Sequence, residues 1–264
     1  MNGQMRIQKK KLIMDRYFRK RHIKRVFVVG CGHSGTSILI RLLGSHPDIY
    51  AIPEETSLFM HDRSKKELKR QLKSFDDEAL GLGNKLWVEK TPKHVRKIST
   101  IVSVSPGAII IGITRDPRDV ACSIKARGFT FEEGVKRWIN DNTCLLEAKK
   151  TYPIHVLSLE DLVRSPEHLM NELFELLIVK PLNVTNYHEN AEAWYANEAV
   201  EKHPNSAEGK ENHTRLRNWQ INQPIFSTTR RYTKDMTRAD EKIMKKYLHR
   251  IEPIASSLGY TLKH

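Results

Sequence analysis

Apolar residues alternate between two patterns along the chain. Aliphatic or β-branched runs occur at 25–29 (RVFVV), 108–114 (AIIIGIT) and 154–159 (IHVLSL), with a shorter one at 86–88 (LWV). Runs of this kind suit strands covered on both faces. Between them the period changes. Val95, Ile98, Ile101 and Val102 recur at helical spacing within 92–102, whereas 64–75 carries charges on most faces. Both segments predict surface helices. Pro166 opens a helix with one apolar stripe, and 238–258 predicts a last helix. Trp138 and Phe174 also fall in helical patterns and read as core. Residues 183–233 are polar and rich in Asn, and predict loops with short helices. Strands that alternate with helices point to β-α-β units, hence an α/β fold with a central parallel sheet of about four or five strands flanked by helices. No repeat or low-complexity block interrupts the order.

Composition sets the frame. A chain of 264 residues suits one α/β domain, expected over 26–264, behind a basic extension over 1–25. Of the net charge of +14, most sits in that extension, where ten Lys or Arg face the single acid Asp15. Such an arm suits peripheral contact with an anionic membrane, or with nucleic acid; a solvated, partly helical extension is the commoner outcome. The near-neutral remainder argues against a nucleic-acid module. No apolar stretch reaches the length of a membrane span and no signal-peptide core opens the chain, so a cytoplasmic protein is expected. Cys31, Cys122 and Cys144 form neither a disulfide framework nor a metal-ligand spacing, and no metal site is expected. A thiol or serine hydrolase would need G-x-S-x-G around its nucleophile, which the residues near Cys31 do not supply.

Two stretches carry chemistry. Residues 30–37, GCGHSGTS, nearly match the nucleotide-binding loop G-x-x-x-x-G-K-[ST], with Thr36 where the lysine would stand. The loop follows the first strand and precedes the apolar segment 38–43, so its backbone N–H groups can cradle a phosphate at a helix N-terminus. The second stretch, TRDPRDVACS at 114–123, closes the next major strand. Asp116 can cap a helix, Pro117 suits its first position and Asp119 favours its positive end. Arg115 then lies at the strand end and Ser123 about two turns into the helix, both facing the crevice where open α/β sheets bind ligands. That makes a second anion site.

Two anion sites at strand ends fit a nucleotide with phosphates at both ends of its ribose. On these residues the chain resembles the sulfotransferases that use 3′-phosphoadenosine-5′-phosphosulfate (PAPS). GCGHSGTS followed by LLGSHPDI resembles their 5′-phosphosulfate loop, and RDPRDVACS their 3′-phosphate motif, with Arg115 and Ser123 eight residues apart. EET at 54–56, EKTPKH at 89–94 and LEDLVRSPE at 159–167 add to the likeness, which spans about 25–180. It implies a P-loop-like three-layer fold and a PAPS-dependent sulfotransferase. PAPS would be the co-substrate, released as 3′,5′-adenosine bisphosphate (PAP), with no metal.

The resemblance also explains the missing lysine. A kinase loop manages a triphosphate and magnesium. Here a single 5′-phosphate is met by the N–H groups of Gly32, His33, Ser34, Gly35, Thr36 and Ser37, and by the last two hydroxyls. Family members usually place Lys or Arg at the position of His33, so some of the cationic role passes elsewhere. Lys90, after LWV, is the natural candidate. Read without the resemblance, it is equally a surface lysine. Glu54 and Glu55 compete for the base, the alternative being the start of an ordinary helix over 54–58. The EET of tyrosyl-protein sulfotransferases favours Glu55.

In the last third, Lys210, His213, Arg215, Arg217 and Trp219 precede Arg230 and Arg231. Arg217 and Trp219 stand equally as a cofactor clamp and as an acceptor-binding surface. The acceptor is expected to be a hydroxyl of a carbohydrate or glycolipid. The rival reading is a P-loop kinase or NTPase acting on a small molecule, with Asp116 as its magnesium carboxylate.

Overall fold

The computed structural model describes residues 23–187, 225 and 229–262. Nearly all of the basic extension, and Lys210, His213, Arg215, Arg217 and Trp219, lie outside these residues. Five strands form one parallel sheet: β1 (Lys24–Gly30), β2 (Ile49–Ala51), β3 (Leu86–Lys90), β4 (Ile109–Thr114) and β5 (Ile154–Ser158), in the order β2-β3-β1-β4-β5. The helices are α1 (Thr36–Gly44), α2 (Lys65–Gly81), α3 (Ile98–Val104), α4 (Pro117–Lys125), α5 (Phe131–Lys149), α6 (Leu159–Arg164), α7 (Pro166–Leu177), α8 (Tyr232–Asp235) and α9 (Arg238–Ser257). A 3-10 helix, Pro92–Lys97, links β3 to α3. The α/β expectation therefore stands, with a P-loop-like arrangement around a five-stranded parallel sheet.

Because strand side chains alternate, each strand feeds both layers of the core. On one face Val26, Val28, Val88, Ile111 and Ile113 pack with Leu39, Leu42 and Leu43 of α1 and with Leu173, Phe174 and Leu177 of α7. On the other, Phe27, Trp87 and Ile110 meet Leu68 and Leu72 of α2, Ile98 and Ile101 of α3, and Leu145 of α5. A third cluster joins α4, α5 and α9 through Val120, Val135, Trp138 and Ile251.

Several boundaries differ from the sequence expectation. Helix α2 starts where expected, with Ser64 and Glu67 forming a capping box, but runs on to Gly81 and buries Leu68, Leu72, Phe75 and Ala79 as one stripe. The expected surface helix over 92–102 is two pieces with a buried side. Pro92 starts the 3-10 turn, and His94, Val95, Ile98 and Ile101 are buried. The third long strand stops at Ser158, whose hydroxyl accepts the N–H of Asp161 and starts α6. Strand β3 extends beyond 88, so Lys90 is its last residue. Strand β2 was not expected, since three residues show no period. Among the described residues, no helix is long and apolar enough to cross a membrane.

Candidate active site

The carboxyl ends of β1, β3 and β4 bring the two stretches expected to bind anions and the expected catalytic residues to one edge of the sheet. Gly30 ends β1 so close to β4 that a Cβ there would lie 2.3 Å from the Ile113 carbonyl oxygen. Gly35 adopts φ 93°, and a Cβ on it would stand 2.6 Å from Leu159 Cδ1. Only glycine fits both demands at Gly35. It caps α1 without a side-chain hydrogen bond, and the first turn of α1 holds no acid. Ser34 Oγ is buried with no hydrogen-bond partner among the described residues. An uncapped helix N-terminus beside a buried unpartnered hydroxyl suits an anion.

Asp116 caps α4 by accepting the Arg118 N–H at 2.8 Å, with Pro117 in the first turn, as the local sequence implied. Its carboxylate also pairs with Arg118 at 2.6 Å, and that guanidinium stacks 3.9 Å from the centre of the Tyr232 ring. Asp116 is thus engaged in local structure.

Arg115 and Ser123 converge on the first loop through His33. The Arg115 Nη1 donates to the His33 carbonyl at 3.1 Å, and the Ser123 hydroxyl meets His33 Nδ1 at 3.0 Å. His33 itself holds φ 71°, a left-handed backbone uncommon outside glycine. The imidazole therefore ties the glycine-rich loop to the second motif. Arg115 is 5% exposed; burial lowers its guanidinium pKa, Asp119 and Glu160 oppose this, and the charge of Arg231 lowers it further. Arginine stays charged regardless.

The backbone on either side of Arg231 is fixed by Asp119, which accepts the N–H groups of Arg230 at 2.7 Å and Tyr232 at 3.0 Å, while the Arg231 guanidinium pairs with Asp235 at 3.2 Å. Sequence reasoning gave Asp119 only a dipole role. The turn after β4 is fixed as well by Glu160, which accepts the Asp116 N–H at 3.0 Å and the Tyr260 hydroxyl at 3.0 Å. Burial raises the carboxyl pKa of Glu160.

Lys90 and Glu55 meet across the end of β3. Lys90 Nζ donates to Glu55 Oε1 at 2.8 Å and reaches Ser37 Oγ at 3.5 Å. The lysine side chain is 1% exposed and the glutamate 31%. A surface lysine is thereby excluded. Residues 54–58 form no helix, and Glu54 is exposed. Cys31 is a free, buried thiol whose pKa burial and Asp141 push well above the usual range. That removes it as a nucleophile.

The sulfotransferase family model matches residues 25–82 and 78–183. A curated relative, an uncharacterized protein of Aquifex aeolicus (strain VF5), is 26% identical over 188 residues, which is 57% of this chain and 25% of the relative. The match thus spans a quarter of that protein's length. Among solved structures, the sulfotransferase domain of the curacin biosynthetic pathway superposes with a TM-score of 0.59 at 15% identity, covering 92% of this chain and 100% of its own. The sulfotransferase domain of the Synechococcus PCC 7002 olefin synthase gives 0.60 at 16% identity, covering 92% and 98%. A mouse sulfotransferase complexed with PAP gives 0.54 at 15% identity, covering 89% and 88%. At these identities the likeness is one of fold.

Proposed function

The chain belongs to the sulfotransferase family, and from that premise we propose that it transfers a sulfuryl group from PAPS to an acceptor hydroxyl, with Glu55 as base and Lys90 as the principal catalytic cation. One observation carries the reading: a buried ammonium stands between the Glu55 carboxylate and the Ser37 hydroxyl of the phosphate loop. The base and the leaving-group end of the reaction then share one cation.

PAPS supplies the activated sulfuryl group when bound. Glu55 accepts the acceptor hydroxyl's proton as the new oxygen–sulfur bond forms and the sulfur–oxygen bond to the 5′-phosphate breaks. Lys90 counters the negative charge that grows on the departing oxygen, and His33 contributes a lesser hydrogen bond there. Gly32, His33, Ser34, Gly35, Thr36 and Ser37 hold the 5′-phosphate by backbone N–H groups and hydroxyls. Arg115 and Ser123 hold the 3′-phosphate. Arg217 and Trp219, outside the described residues, stand as candidates for the cofactor clamp and for the acceptor-binding surface alike. The acceptor class proposed is carbohydrate or glycolipid, to be tested by screening hydroxyl acceptors with labelled PAPS. The basic extension is a candidate for peripheral contact with an anionic surface, a solvated extension being the commoner outcome for such a run, and the cytoplasm is the proposed location.

The 3′-phosphate assignment predicts that PAP binds far more tightly than 5′-AMP, and that Arg115→Ala removes most of the difference. Losing a charge-assisted contact of this type costs about 1.5–3 kcal/mol, or roughly 10- to 150-fold in affinity. Isothermal titration of both nucleotides measures it. Equal affinity in the parent protein would sink the PAPS reading, and preferential binding of ATP with magnesium would favour the kinase.

A further inference from the structure

We infer that Glu89, together with Thr91 and His94, is a positioning residue for the base: a buried carboxylate on one face of β3 that holds the 56–59 segment so that Glu55 meets Lys90 on the other face. The inference rests on the proposed role of Glu55 and Lys90, and its test includes readouts that do not depend on transfer.

Alternation along β3 sends Glu89 to the side of Trp87, in the layer that contains Phe27 and Phe59, and Lys90 to the side of Val88, facing α1. The chain leaving β2 then wraps over the strand end and is fastened there. Ile52 N–H donates to the Val88 carbonyl at 2.9 Å. Beyond Glu55, the Thr56 hydroxyl donates to Glu89 Oε1 at 2.8 Å and its N–H reaches the same oxygen at 3.3 Å. Ser57 N–H donates to Thr91 Oγ1 at 3.1 Å, and Phe59 N–H to His94 Nε2 at 3.2 Å. Residues 53–55 are thus a short span clamped at both ends, with the base at its far end.

The chemistry of the clamp is specific to a carboxylate. Glu89 is 1% exposed, and its Oε1 also accepts the Thr91 hydroxyl at 2.6 Å. Since His94 Nε2 accepts from Phe59, the ring proton sits on Nδ1, which donates to Glu89 Oε2 at 3.0 Å. The histidine is therefore neutral, and the buried negative charge is stabilised by several neutral donors. An amide in its place would turn N–H groups toward these donors. A buried charge is costly, and an apolar residue such as Trp87 would serve packing alone. The expense is intelligible if the task is to gather donors from one loop. Ser57 supports this: its φ of 49° is a left-handed conformation that only an over-determined surrounding maintains.

Thr56 tests the clamp without removing the buried charge. Thr56→Val keeps the shape and loses the hydroxyl donor, whereas Thr56→Ser keeps the donor. For Thr56→Val we expect kcat to fall about 10²-fold, as for a misplacement near 1 Å, with acceptor KM and PAP affinity little changed. Amide exchange across 54–59 should quicken, and Lys90 should be acylated faster by acetic anhydride, both read by mass spectrometry. Thr56→Ser should restore all these values. Exchange and Lys90 acylation equal to the parent in Thr56→Val would overturn the clamp, as would a kcat loss shared by Thr56→Ser. A parent protein that neither binds PAP nor transfers a sulfuryl group would instead remove the proposed reaction, while the exchange and acylation results still decide the clamp.

Discussion

Glu55→Gln is expected to reduce turnover on an accepted hydroxyl substrate by roughly 10²–10⁴-fold while leaving PAP affinity close to the parent value. The amide matches the carboxylate in shape, and its oxygen can still accept from Lys90, now 2.8 Å from the native carboxylate. What it loses is the capacity to take a proton in the transition state. The phosphate loop, Arg115 and Ser123 are untouched, so nucleotide binding should persist. Glu54→Gln is the internal comparison, because Glu54 is exposed and should tolerate the change. The measurement is kcat and kcat/KM under saturating PAPS, beside calorimetric PAP titration. Near-normal turnover by Glu55→Gln would remove it from the base role and pass that role to Glu54 or His33.

Lys90→Met should separate catalysis from stability. Methionine fills much of the same volume without the ammonium, so turnover should fall about 10²–10³-fold through lost stabilisation of the departing oxygen. PAP binding should weaken too, which distinguishes this variant from Glu55→Gln. The melting temperature should stay level or rise. Lys90 is almost fully buried, while its partner retains 31% exposure and can be solvated when the lysine is gone. A residue kept at a cost to stability is what a functional site is expected to hold. The double variant Glu55→Gln with Lys90→Met should be little slower than the worse single variant, because the two groups act as a unit. Loss of stability together with unimpaired turnover would reverse the assignment.

Strand β4 and helix α4 were legible because their signals are local. A β-branched run, an aspartate that caps from one residue outside the helix and a proline in the first turn each act on near neighbours. The same holds for the phosphate loop, whose glycines answer to backbone geometry. The capping box of Thr130 and Glu133 was equally readable and would have announced α5 from its first residue. Strand β2 carried no such mark, and nothing but Pro92 at its start announced the 3-10 turn after β3. They are short segments held by neighbours: β2 by its pairing with β3, and the turn by the buried His94 and Val95.

By itself, then, the sequence determined the glycine-rich loop at 30–37, the starts of α2, α4, α7 and α9, the alternating layers and the residue types that chemistry would need at each strand end. Their partnerships came only with the tertiary structure. Lys90 meets Glu55 across 35 positions, Ser123 meets His33 across 90, and Asp119 receives the Arg230 N–H across 111. No local period encodes such separations. They follow from the sheet order β2-β3-β1-β4-β5, which sets β3 and β4 on either side of β1 and so brings their carboxyl ends to the same loop. The face on which each residue lands follows from strand register, which is why Glu89 and Lys90, adjacent in sequence, serve opposite sides of the sheet.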